Sequence, residues 1–88
     1  MPDYHAILSD TAQKDLDSLD AVLRKRIAKK IVFYAQNGEP LKYAVKLTEF
    51  AAGSYRYRIG KYRAIFDLDE KRRIVNIVHI EHRRSVYR

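Results

Sequence analysis

The chain has no cysteine, only three glycines and two prolines, and no apolar run that approaches a membrane span. Without cysteine there is neither a disulfide framework nor a thiolate metal site, which fits a reducing compartment. A spanning helix needs about 20 consecutive apolar residues. The N-terminus also lacks the basic and apolar regions of a secretion signal. These absences read as a cytoplasmic protein with no membrane partner. Three scattered histidines, His5, His79 and His82, do not have metal-ligand spacing. No phosphate loop of the G-x-x-x-x-G-K-[ST] type and no G-x-G-x-x-G fingerprint occurs. Asp67, Asp69 and Glu70 sit where a strand ends and a turn begins, the ordinary place for solvated acids. No metal or other cofactor is expected. There is no internal repeat, low-complexity tract or linker, so residues 1–88 read as one small domain.

What is present is positive charge in one half. The formal net charge is +7. Residues 1–52 carry 8 Lys/Arg against 7 Asp/Glu, whereas residues 53–88 carry 10 against 4. A localised excess implies a field aimed at a partner. Nucleic acid ranks first and an acidic protein second. An anionic membrane ranks last, because the basic segments have strand rather than helical periodicity.

The apolar pattern predicts an α+β architecture. Tyr4–Leu8 reads as a first strand. Ser9 is placed to N-cap a short helix to about Leu19, with Asp10 in its first turn. Asp20 is placed to cap a second helix to about Gln36, where Leu23, Ile27, Ile31 and Tyr34 share one face. Gly38 suits the left-handed position that ends it. The period then changes to two. Leu41–Leu47 reads as either strand or irregular chain, and Tyr55–Ile59, Tyr62–Leu68 and Ile74–Ile80 as strands. The expected fold is an N-terminal strand, an α-helical hairpin and an antiparallel meander, with the helices packed on one face of a small sheet.

The run from Gly53 to Arg63 holds four cations and no anion. On a strand, Tyr55, Tyr57 and Ile59 share one face, and Arg56 and Arg58 share the other. If Gly60-Lys61 forms a two-residue turn, Arg58 stands directly opposite Arg63. Directly opposed like charges destabilise a sheet by some tenths of a kcal/mol. The pairing makes sense if an anion lies between them, and phosphate leads because guanidinium groups match its geometry. The alternative is a solvated face with arginines paired to Asp67 or Glu81. Clustered charge with interleaved tyrosines favours a nucleic-acid surface, with Tyr57, Lys61 and Arg84 as further contacts.

The ending His82-Arg83-Arg84-Ser85-Val86-Tyr87 adds a second basic group. His82 is the side chain best suited to proton transfer near neutral pH. Tyr87 could stack on a base or donate to phosphate, or it could cap the core. Neither His79 nor His5 has a role on this reading.

Length, the α-hairpin after a first strand, Tyr55-Arg56-Tyr57-Arg58-Ile59-Gly60, Tyr62-Arg63 and the His82–Tyr87 ending together resemble the RelE/ParE toxin superfamily, in its RelE-like branch. The resemblance implies a RelE-like fold and a toxin of a type II toxin–antitoxin system. It further implies an endoribonuclease that cuts mRNA in the ribosomal A site without a metal, by attack of a ribose 2′-OH on the adjacent phosphate. Its implied partners are a RelB-like antitoxin, mRNA, rRNA and, through the antitoxin, operator DNA. By resemblance Arg56, Arg58 and Arg63 are the strand cations, and Arg83 and Tyr87 form the C-terminal part of the site. The branch's best-known nuclease has lysines where Arg56 and Arg58 stand. Arginine stabilises charge but does not give up a proton, so proton transfer is assigned to His82 first and Tyr87 second. Thr48-Glu49 replaces a basic residue and glycine common in the family, which leaves Lys46 as the substitute contact. A gyrase-inhibiting ParE-like toxin and a non-catalytic module binding RNA or an acidic protein are the competing functions.

Overall fold

A computed structural model describes residues 3–36, 38–47 and 55–83. The elements are β1 (His5–Leu8), α1 (Asp10–Asp17), α2 (Ala21–Gln36), β2 (Ala44–Lys46), β3 (Tyr55–Ile59), β4 (Tyr62–Asp69) and β5 (Ile74–His82). They build one sheet in the order β1-β5-β4-β3-β2, with β1 parallel to β5 and all other pairs antiparallel. The expected meander is thus β2 to β5, and the first strand joins it on the far side of β5. No described helix is long and apolar enough to cross a membrane.

Local chemistry sets the element ends. Ser9 Oγ accepts the Ala12 N–H at 3.0 Å and donates to the Val78 carbonyl at 3.0 Å, so one hydroxyl caps α1 and ties it to β5. Asp20 Oδ1 accepts the Leu23 N–H at 3.0 Å and starts α2. Gly38 closes α2 at φ +83°, as expected of a left-handed cap. α1 ends at Asp17, two residues earlier than its apolar spacing predicts, and the chain tightens there, with the Leu19 N–H donating to the Leu16 carbonyl at 3.1 Å. Leu41–Leu47 resolves into turn followed by the three-residue β2. β5 runs on to His82.

Gly60 has φ +60°, as the first position of a primed hairpin turn requires. The register is the one that turn dictates: Ile59 faces Tyr62, Arg58 faces Arg63 and Tyr57 faces Ala64. Between β4 and β5 the register shifts. Ile65 pairs with His79 but Phe66 pairs with Ile77, so Val78 is an extra residue in β5. This bulge brings both Ile77 and Ile80 into the core, although they are three residues apart.

The core lies between the helices and one sheet face. Tyr57, Phe66, Ile27, Ile77 and Val75 are its largest fully buried side chains. The Tyr57 and Phe66 rings stack at 4.3 Å, and Tyr34 closes over Tyr57 at 5.1 Å. The Tyr57 hydroxyl donates to the Pro40 carbonyl at 2.7 Å, which holds the turn before β2 onto the sheet.

Burial pushes the Tyr57 phenol well above its ordinary range. The folded chain keeps this proton where the unfolded chain, near pH 10, releases it. The contribution is therefore intact below about pH 10 and drains away as pH rises further. Tyr57→Phe should cost about 1–3 kcal/mol at neutral pH by leaving a buried carbonyl unpaired. The same variant should lose stability less steeply than the native chain between pH 10 and 11.5. Urea midpoints across that range check both expectations.

Candidate nucleic-acid interface

The sheet face opposite the helices carries the cations. Register across three strands aligns Arg58 of β3, Arg63 of β4 and Glu81 of β5 in one row. The next row is Arg56, Ile65 and His79. Arg58 is exposed and Arg56 half-buried, whereas Arg63 retains only 6% exposure and is the one buried charged residue among those described. Lys61 is exposed in the turn. The Arg83 N–H donates to the Lys61 carbonyl at 2.7 Å, which sets the start of the C-terminal basic group beside that turn.

Arg63 has a cationic neighbour on one side and a carboxylate on the other, yet forms no ion pair among the described residues. Glu81 is turned along its own strand instead, with Oε2 3.2 Å from His79 Nε2. His79 Nδ1 in turn lies 2.5 Å from Asp15 Oδ2. The same Asp15 oxygen accepts the Ile80 N–H at 2.9 Å, just beyond the last β1–β5 pair, where β5 has an open edge. A guanidinium buried without its counter-ion carries a desolvation cost that an incoming anion relieves.

Several expected site residues are placed elsewhere. Tyr57 is fully buried in the core and offers no ring for a base to stack on. Lys46 pairs with Tyr55, so it stands at the sheet edge on the helix side, away from Arg56 and Arg58. His82 pairs with Tyr62 and meets that ring edge-on at 5.0 Å. It lines a cleft with Leu23 and Arg26 of α2, again on the helix side. The reason is shared: strand alternation sends each of these side chains to the face opposite the arginines. Arg84 and Tyr87 lie outside the described residues, as do Thr48-Glu49 and Gly53. No group of three or more His, Asp or Glu among the described residues is placed to hold a metal ion.

The sequence reading passed over Asp15 and His79. The spacing of His79 and Glu81 is compatible with contact along a strand, but nothing local links either to Asp15 on α1.

A family model described as the ParE toxin of type II toxin–antitoxin systems, parDE, matches residues 6–87. The chain is 31% identical over 85 residues to toxin RelG of Mycobacterium tuberculosis, covering 97% of each protein. It is 28% identical over 85 residues to toxin RelE of the same organism, covering 97% of this chain and 87% of that one. Among solved structures, the toxin–antitoxin complex RelBE2 of M. tuberculosis contains a chain that superposes with a TM-score of 0.78 at 27% identity, over 94% of both.

Arg63→Met should raise the urea midpoint, by about 1 kcal/mol or more, since it removes a buried charge and keeps side-chain length. Inorganic phosphate should raise the melting temperature of the native chain but leave that of the variant nearly unmoved. Thermal melts with and without phosphate measure the difference.

Proposed function

The chain belongs to the RelE/ParE superfamily, as a toxin of a type II toxin–antitoxin system, and from that premise we propose that it is a ribosome-dependent endoribonuclease that cuts mRNA in the A site. The observation that carries this reading is the Arg58–Arg63 pair, two guanidinium groups directly opposed on one face with the inner one buried. In the reaction the ribose 2′-oxygen bonds to the adjacent phosphorus and the bond to the 5′-oxygen breaks. The products are a 2′,3′-cyclic phosphate and a 5′-hydroxyl. Negative charge grows on the non-bridging oxygens, where Arg58 and Arg63 stabilise it. Arg56, Lys61 and Arg83 hold flanking phosphates, and Arg84 and Tyr87 are assigned to the C-terminal side by resemblance. His82 has no part in proton transfer on this reading, because it faces the helices.

The protein acts as a single domain in the cytoplasm, where its substrate is. Its neutralising partner is a RelB-like antitoxin, in keeping with the RelBE2 complex, and it reaches operator DNA through that antitoxin. A gyrase-poisoning activity is the second reading, favoured by the ParE description of the matching family. A supercoiling assay that traps cleaved DNA with gyrase separates the two.

Incubation with programmed ribosomes, followed by primer extension, should reveal cuts at A-site codons. Arg63→Ala should lower the single-turnover rate by about 10²–10³-fold. Absence of A-site cuts by the native chain, or an undiminished rate in the variant, would refute the assignment.

A further inference from the structure

We propose that Glu81 is the general base of this site, and that His79 and Asp15 are positioning residues that orient its carboxylate. The inference rests on the mRNA-cleaving reading and supplies what the arginines cannot, a proton acceptor on their own face. Glu81 is the carboxylate in register with Arg63, on the face of the Arg58–Arg63 row, and its side chain is 20% exposed.

Three side chains lie in contact at the open edge of β5. Asp15 Oδ2 accepts the Ile80 N–H and lies against His79 Nδ1. His79 Nε2 lies 3.2 Å from Glu81 Oε2. One oxygen of Glu81 thus rests against the ring, and the other can accept the proton of a ribose 2′-OH. Among the described residues, the groups in register with Glu81 on its own face are Arg63 of β4 and Arg58 of β3. An open cleft of about 380 Å³, lined by Asp15, Tyr62, His79, Glu81 and His82 among others, gives solvent access to the chain of contacts.

The step balances without an added reagent. The 2′-OH proton passes to Glu81 as the 2′-oxygen bonds to phosphorus. The electron pair of the breaking bond leaves on the 5′-oxygen, which takes a proton from water. The hydroxide left behind takes the proton from Glu81 and restores the site.

Single-turnover cleavage of programmed ribosomes tests this, with RNA binding and melting temperature measured for each protein. Glu81→Gln should slow cleavage by about 10²–10⁴-fold, while RNA affinity holds or rises, because a negative charge has left the phosphate face. His79→Asn and Asp15→Asn should slow single-turnover cleavage while RNA affinity holds, since Glu81 then loses the contact that orients it. If the native chain cuts and Glu81→Gln cuts equally fast, the assignment of Glu81 is overturned and the mRNA-cleaving reading stands. If Glu81→Gln fails to fold, an undiminished single-turnover rate in His79→Asn overturns the proposal by itself. If the native chain does not cut at all, both fall together.

Discussion

One extra residue in β5 governs how this small domain is assembled. β4 and β5 form the longest ladder of the sheet, and Val78 has no partner in it. The bulge lets Ile77 and Ile80 both enter the core. It frees the Val78 carbonyl for the Ser9 hydroxyl, which is also the N-cap of α1. α1 then lies where Asp15 covers the Ile80 N–H at the open edge of β5. Packing, helix placement and the Asp15–His79–Glu81 chain thus share one local departure from alternation.

The sheet face away from the helices is less completely paired. A structure selected only to be stable would pair Arg63 with Glu81, its cross-strand neighbour. Instead Glu81 leans toward His79, and Arg63 keeps a buried charge next to Arg58. Such local conflicts concentrate where a ligand supplies the missing interaction. The aromatic side of the same strands carries the compensating packing, with Tyr57 stacked on Phe66 and Tyr34. One strand therefore serves both ends, core on its odd residues and cations on its even ones.

Much of this was legible in the chain. The helix caps at Ser9 and Asp20 were legible because capping is local chemistry. The Gly60-Lys61 turn and the Arg58–Arg63 pairing were legible because a two-residue hairpin leaves one register. The faces of Lys46 and His82 were not, since each depends on pairing with a strand whose register a bulge or a short edge strand sets. Tyr57 was misjudged because tyrosine suits both a core and a base-stacking surface. Only its partners, Pro40 and Phe66, tell the two apart.

The sequence by itself determined the α+β order of elements, the basic second half and the alternation that segregates arginine from tyrosine. These rest on periodicity and on turn and cap preferences, which act over a few residues. Tertiary structure alone decided that Arg63 is buried, that His82 faces the helices, and that Asp15 meets His79 at the edge of β5. Those outcomes join residues far apart in the chain, and their geometry exists only once the β4–β5 register and the seat of α1 are set.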